Sequence, residues 1–406
     1  MQPCYSRPMA EPGIETGRAS VELVAAYAFD HGAFTASDVM DGTGLTRATV
    51  LNACDALADR GWIRELDDAR AAGDYRRGRP ARRYELAADT AFVVGLDVGQ
   101  HRVAALVATL RGEVVGRAER PIVGGDEDPD LRLATARTVV EEATAQAGAT
   151  PGQVLVTAVG VPAPVDAHGR SPRGDHDYWA RMNPDFASRL GPWGDVVLEN
   201  DANLAATAER ALGEVARESI AVLLAEASFG AGLIVDGVLL HGGAGGAGEL
   251  RVLGMVEGVG SPEGLDGAAR SWLEEDQRSG AVPAASPLAR MPIGTLDVGR
   301  IIDAAASGDA YAGRLVERLG ERLGRVCVLL GSLLDVDEVV VAGGVARVAS
   351  PVIVAAQTWL DEGTYAPTPI VRASRLGADV VALGAITRAV ATIRSQPWRF
   401  AAAIPR

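Results

Sequence analysis

The stretch Asp195-Val196-Val197-Leu198-Glu199-Asn200-Asp201-Ala202-Asn203-Leu204 decides the fold. Val196–Leu198 reads as a short apolar strand, and Asp201–Leu212 has helical spacing, so strand passes directly into helix. Asn200 or Asp201 can open that helix, because a side-chain oxygen there accepts hydrogen bonds from the free amides of the first turn. The alternation continues outward. Upstream, Phe92–Asp97, Val103–Leu110, Glu113–Arg120 and Val154–Val161 read as strands, and Leu131–Ala147 is helical in period. Downstream, Ile220–Leu224, Gly232–Val235 and Glu338–Ala342 read as strands, with Ala310–Leu334 and Pro351–Leu360 as apolar-rich helices. Strands with helices inserted predict an α/β body over residues 89–406.

The residues before that body have a different character. Residues 1–18 mix Pro, Gly and charge and predict a loose tail. Over 19–88, Val21–His31 reads as an amphipathic helix, and Thr35 or Ser37 can cap a second one that stops at Gly42-Thr43-Gly44. Leu45 plugs the core, and Thr46 caps a third helix reaching about Arg60, with Val50, Leu51, Cys54 and Leu57 at helical spacing. Two helices joined by a short glycine turn make a helix-turn-helix. Its third helix would expose Thr46, Arg47, Thr49 and Asn52, residue types that suit a major groove: Arg for guanine, Asn for adenine, Thr for phosphate or a thymine methyl. Trp62–Leu66 and Arg83–Leu86 read as two strands around a loop from Arg70 to Arg83 that carries six arginines and one acid, Asp74. Arg76, Arg77 and Arg79 lie at its tip. That pattern is a wing whose tip can contact phosphates or a minor groove, so this segment is expected to be a winged helix-turn-helix that binds DNA.

With 406 residues, the chain has room for two or three domains. The net charge of −14 argues against a protein that coats nucleic acid, yet a local basic patch suffices for DNA binding. Every basic residue among the 39 is an arginine. Cys4, Cys54 and Cys327 are far apart, form no metal spacing, and fit a reducing cytoplasm better than a disulfide framework. No apolar run reaches the ~20 residues of a membrane span, and no signal peptide is visible, so a cytoplasmic protein without membrane partners is expected.

The order of several short motifs carries a resemblance. Leu96-Asp97-Val98-Gly99 resembles the first phosphate motif of the actin-like ATPase superfamily. Val159-Gly160-Val161-Pro162, Glu199–Asn203, Gly230-Ala231-Gly232 with Asp236-Gly237, and Ala342-Gly343-Gly344-Val345 follow in the right order. With a winged helix in front, including Gly78-Arg79-Pro80, the chain resembles the ROK family of repressors and sugar kinases over nearly all of residues 20–395. The resemblance implies two ribonuclease-H-like lobes of actin-like, sugar-kinase fold, with sugar and ATP bound in the cleft between them.

It also assigns roles. Asp201 matches the family's catalytic base, which accepts a proton from the attacking sugar hydroxyl. Asn200 is suited to neighbouring hydroxyls, and Glu249 in Gly245-Gly246-Ala247-Gly248-Glu249-Leu250 matches a sugar-binding glutamate. In family members a histidine and a cysteine cluster follow that glutamate. Here Arg251-Val252 replaces the expected Gly-His, and residues 252–270 hold neither cysteine nor histidine. A structural zinc needs about four N or S ligands, so no metal is expected. His241 reads as a lone surface or loop residue, while Glu263 and Asp266 are the acids nearest to replacing a lost contact. The kinase phosphate turn, two glycines around a threonine, is Glu226-Ala227-Ser228 here. Either Glu226 puts a carboxylate where phosphate should sit, or it points away and Ser228 supplies the hydroxyl. Gln100-His101-Arg102 likewise lacks the small-polar and lysine pattern of kinases.

The resulting expectation is a transcriptional regulator, a repressor of carbohydrate-related genes, with a winged helix for operator DNA and a sugar-responsive body. Asp201 would be a vestigial catalytic residue, no cofactor is expected, and a homodimer or homotetramer would match two-fold operators. The alternatives are a bifunctional sugar kinase carrying a DNA-binding domain, and a regulator whose cleft binds nothing.

Overall fold

The computed structural model describes residues 12–66, 81–124, 128–172, 178–214, 217–363 and 368–400. The first unit contains α1 (Pro12–Asp30), β1 (Phe34–Thr35), α2 (Ala36–Thr43), α3 (Arg47–Asp59), β2 (Ile63–Leu66) and β3 (Arg83–Leu86). Helix α1 begins at Pro12, inside the stretch read as a loose tail. Thr35 and Asp38 form a reciprocal capping box that starts α2: the Thr35 amide donates to Asp38 at 2.7 Å, and the Asp38 amide donates back to Thr35 at 3.4 Å. Gly44 ends α2 at φ 71°, a left-handed position that glycine adopts without Cβ strain. β3 is the middle strand of three, pairing β2 through Ile63↔Leu86 and β1 through Phe34↔Tyr84. Val24, Val39, Val50, Leu57, Trp62 and Tyr84 are buried between helices and sheet, which is a winged helix-turn-helix.

Two lobes follow. The first holds β4 (Phe92–Val98), β5 (Arg102–Thr109), β6 (Val114–Pro121), α4 (Pro129–Gln146), β7 (Val154–Val161), α5 (Tyr178–Met182), α6 (Phe186–Arg189) and β8 (Asp195–Asn200), and leads into α7 (Asp201–Leu212). The second holds β9 (Ile220–Leu224), β10 (Gly230–Val235), β11 (Val238–Leu239), α8 (Leu265–Ser279), α9 (Val298–Ala306), α10 (Ala310–Leu334), β12 (Glu338–Ala342), α11 (Ser350–Glu362) and β13 (Ile370–Ala373). It leads into α12 (Val380–Ser395) and α13 (Pro397–Phe400). The two five-stranded sheets run β6-β5-β4-β7-β8 and β11-β10-β9-β12-β13. Each is an antiparallel meander of three strands extended by two parallel ones, so one topology occurs twice. This is the two-lobed arrangement expected from the motif order.

The lobes are locked by exchanged helices. Helix α12 follows the second sheet but packs on β4 and β7 of the first, while α7 follows the first sheet and packs on β9 and β10 of the second. The two helices touch where Gly384 meets the backbone of Leu204; a Cβ at Gly384 would lie 1.9 Å from the Leu204 carbonyl oxygen. Only glycine permits that approach.

The winged helix is docked on this body. Arg111, in the turn between β5 and β6, donates to the carbonyls of Ala28, Phe29 and His31 at 3.4, 3.4 and 2.8 Å. It thereby satisfies carbonyls that the end of α1 leaves unpaired. Arg394 near the end of α12 pairs with Asp30, and Arg60 lies 4.2 Å over the ring of Trp398 in α13. One buried cluster runs from Val24 and Trp62 through Val93 to Ile386 and Phe400. Among the described residues, no helix is long and apolar enough to cross a membrane.

Candidate functional site

Parallel pairing of β4, β7 and β8 brings Asp97, Pro162 and Asp201 to one sheet edge. Glu226, Ser228 and Gly343 face them from the second lobe across a cavity of about 180 Å³. Asp97 is buried, and its carboxylate receives the Arg102 guanidinium at 3.4 Å. Arg102 also donates to the Ala378 carbonyl at 2.6 Å and to Glu119 at 2.8 Å, so it bridges β5, β6 and the turn before α12. Sequence reasoning treated Arg102 only as a departure from the kinase pattern and missed that it pairs with Asp97.

Acids crowd this cavity. Burial, aided by the charges of Glu226 and Asp379, pushes the Asp97 carboxyl up to about 6 against the pull of Arg102. Burial, with the charges of Asp97 and Glu249, pushes Asp201 up to about 8, against the hydrogen bond from the Ala202 amide. Burial thus favours the protonated form of the Asp201 carboxyl. Burial also raises Glu249, opposed by Arg251.

The choice of helix cap falls to Asn200. Its Oδ1 accepts the Asn203 amide at 3.1 Å, and its Nδ2 donates to the Ala163 carbonyl at 3.2 Å. Both ends of this buried side chain are committed inside the protein, and one amide N–H is left over. Asp201 is freed from capping and lines the cavity. Its neighbour Glu199 is buried and accepts from the Asn200 amide at 3.0 Å and from Asn203 Nδ2 at 2.9 Å. The other Glu199 oxygen meets His241 Nε2 at 2.9 Å. His241 does lie in a loop and is half-exposed, as expected, but it partners a buried carboxylate that no local sequence signal announces.

Glu249 is tied by an isolated bridge to Gly230 at the start of β10, and its charge reaches Asp201. Arg251, standing in the expected Gly-His, stacks 4.4 Å over Trp179 of α5. Glu263 accepts hydroxyls from Ser261 at 2.9 Å and Ser271 at 2.7 Å, and Asp266 accepts the Val298 amide at 2.8 Å. Both carboxylates are thus committed elsewhere. Residues 250–264 offer no thiol or imidazole, so the residues present do not fit a tetrahedral zinc.

Glu226 does not point away. Its Oε1 accepts the Gly344 amide at 2.6 Å. The reason is register: β9 and β12 run parallel with Leu224 opposite Ala342, so the turns two residues beyond each strand meet. The glycine turn after β12 receives a protein carboxylate where an anionic ligand could otherwise approach its amides. Ser228 forms an isolated bridge to Glu263 and lines the cavity.

The winged helix presents a separate face. Thr46 caps α3, and its hydroxyl lies 2.8 Å from the half-buried Thr49 hydroxyl. Arg47 and Asn52 are exposed along the same helix. At the base of the wing, Arg82 is neutralised by Glu65 at 2.6 Å and Asp55 at 3.0 Å, so it is not a free phosphate contact. Arg76, Arg77 and Arg79 lie outside the described residues.

Comparison with known proteins agrees with this architecture. The chain is 26% identical over 217 residues to the xylose repressor of Caldicellulosiruptor bescii, covering 51% of each protein. It is 27% identical over 169 residues to the glucokinase of Halalkalibacterium halodurans, covering 37% of this chain and 49% of that one. The chain thus spans about half the length of these curated relatives. Among solved structures, a ROK family transcriptional regulator, a homologue of the E. coli MLC protein, superposes with a TM-score of 0.70 at 22% identity. That match covers 92% of this chain and 96% of the other. A ROK family glucokinase from Streptomyces griseus, in complex with glucose and AMPPNP, gives a TM-score of 0.57 at 21% identity, over 73% of this chain and 99% of that one. At such identities these structures establish the fold. Residues 93–391, well over half of the chain, match the ROK family, and the chain belongs to it.

Proposed function

We propose that the chain is a DNA-binding transcriptional regulator, a repressor of carbohydrate-related genes, whose kinase-like body senses a sugar or sugar derivative without phosphorylating it. The observation that carries the loss of phosphotransfer is the bond from the Gly344 amide to Glu226. Glu226 is exposed, so water screens the repulsion between its carboxylate and a nucleotide's phosphates to about 1–4 kcal/mol at close range.

The DNA-binding half rests on the winged helix, with Thr46, Arg47, Thr49 and Asn52 on α3 and Arg76, Arg77 and Arg79 in the wing. Two-fold operators would require at least a homodimer. A sugar would contact Asp201 and Glu249, with Asn200 supplying its one spare N–H. Coupling would run along α12, which begins beside the cavity at Val380 and Val381 and pairs with the winged helix through Arg394 and Asp30. For an effector to act, it must bind one lobe arrangement more tightly than the other.

The test has two steps. A sugar library is screened by thermal shift on the full chain, and each stabilising sugar is added to an operator-binding titration followed by fluorescence anisotropy. A sugar that raises the melting temperature and changes operator affinity is expected. ATP-dependent phosphorylation of any hexose, abolished by Asp201→Asn, would establish the kinase reading instead.

A further inference from the structure

We propose that a second cavity, in the second lobe, is a binding site for a phosphate-like oxyanion. It measures about 340 Å³ and shares no lining residue with the inter-lobe cavity. Its walls are Arg318, Glu321 and Arg322 of α10, Trp272 of α8, and the loop Gly258-Val259-Gly260.

Two guanidinium groups meet there. Arg318 is exposed and lies 3.8 Å over the Trp272 ring, with no ion pair or hydrogen bond to any described residue. Stacking fixes the plane of the group and leaves its edge N–H donors unused. Arg322, one turn further along α10, is only 2% exposed. Its Nε donates to the Val259 carbonyl at 3.0 Å, and its Nη2 donates to the Ser261 carbonyl at 2.7 Å and hydroxyl at 3.3 Å. Its Nη1 has no hydrogen-bond partner among the described residues. A buried donor left unpaired is costly, and a buried charge without a counter-charge is more so. Burial accordingly lowers Arg322 to about 10, opposed only by Glu263.

The acids nearby are already engaged. Glu321 pairs with Arg325 at 2.8 Å, Glu263 accepts two serine hydroxyls, and Asp276 accepts the Tyr311 hydroxyl at 2.7 Å. The missing component is an anion. A planar guanidinium edge matches the paired oxygens of a tetrahedral oxyanion; Arg318 presents such an edge to the cavity, and the buried charge of Arg322 in the same wall, with its Nη1 donor unspent, adds positive potential that favours phosphate, sulfate or a phosphoryl group.

The position gives such an anion leverage on the inter-lobe cavity. Arg322 lies 5.1 Å over Phe229, and the Phe229 amide donates to the Pro262 carbonyl at 2.9 Å. The loop that Arg322 pins is therefore bonded to the turn that carries Glu226 and Ser228. An anion held here stiffens that turn.

The experiment uses the full chain and thermal shift. Sodium phosphate, sodium sulfate and a hexose 6-phosphate are each compared with sodium chloride at equal ionic strength, in wild type and in Arg318→Gln. The expected result is a rise of about 2 °C or more over chloride in wild type, lost in Arg318→Gln. Because Arg318 is exposed, its replacement leaves the fold intact. Equal responses to phosphate and sulfate assign the site to free oxyanions, and a response to the hexose phosphate alone assigns it to a phosphorylated metabolite. No rise above chloride, or the same rise in Arg318→Gln, overturns the proposal.

Discussion

The Glu226 carboxylate and the Gly344 amide sit 2.6 Å apart, joining turns that are 118 residues apart in the chain. A hydrogen bond to a charged group contributes about 1.5–3 kcal/mol. Glu226→Gly should therefore lower stability by about that amount in urea unfolding. It should also uncover the amides of the Gly343-Gly344 turn. Magnesium AMPPNP is expected to raise the melting temperature of the variant and leave wild type unchanged. A wild-type rise as large as that of the variant would falsify the idea that Glu226 closes the turn to nucleotide.

Asp201 makes stability depend on pH. Its folded-state pKa of about 8 lies above the ordinary 3.8, so the folded chain keeps a proton that the unfolded chain releases. Wild-type stability should fall as pH rises through that window, and Asp97, raised to about 6, adds to the fall in its lower part. Asp201→Asn keeps the acceptor for the Ala202 amide and removes the ionisation. The variant should match wild type near pH 4 and exceed it by a margin that grows with pH to several kcal/mol, about 5 at most, at pH 8. Parallel pH curves for the two proteins would contradict this.

On the winged helix, Arg47→Ala and Asn52→Ala should each weaken operator binding by about 1–3 kcal/mol, roughly 5- to 150-fold. Both side chains are exposed, so melting temperatures should not change. Titration by anisotropy against a specific and a scrambled duplex separates base reading from phosphate contact. Loss of affinity for both duplexes in equal measure would place these residues on the backbone instead.

Arg111→Ala removes three hydrogen bonds to the end of α1. We expect a loss of about 1–3 kcal/mol and faster amide exchange in the last turn of α1, with exchange in the β9–β12 sheet unchanged. Uniform acceleration across both lobes would show that Arg111 supports the whole body rather than the docking of the winged helix.

Legibility in the sequence followed the range of each interaction. Thr35, Thr46 and Gly44 act within their own turns, so the winged helix and its caps could be read directly. β1 escaped because two residues carry no periodicity and form a strand only by pairing with β3. Strand and helix order gave an α/β body; the two lobes, and a cleft near Asp97, Asp201 and Glu226, followed from the resemblance that the motif order carries. The side-chain roles inside that cavity were less legible. Spacing did not decide that Asn200 rather than Asp201 caps α7, that His241 partners Glu199, or that Arg102 partners Asp97. The Glu199–His241 pair spans 42 residues and no spacing encodes it; the Asn200 cap and the Asp97–Arg102 pair are local, but neighbouring residues of similar type left the sequence with more than one candidate for each role.

Helix α12 has 16 residues, which at 1.5 Å each is about 24 Å of rigid rod. One end abuts the inter-lobe cavity and the other grips Asp30 of the winged helix. A tilt of about 10° at the first end sweeps the second by about 4 Å, a displacement comparable to the ~3.4 Å rise of one base pair. In the proposed regulator, a lever arm of that length would carry a small adjustment around an effector at the first end to the winged helix as a displacement several times larger.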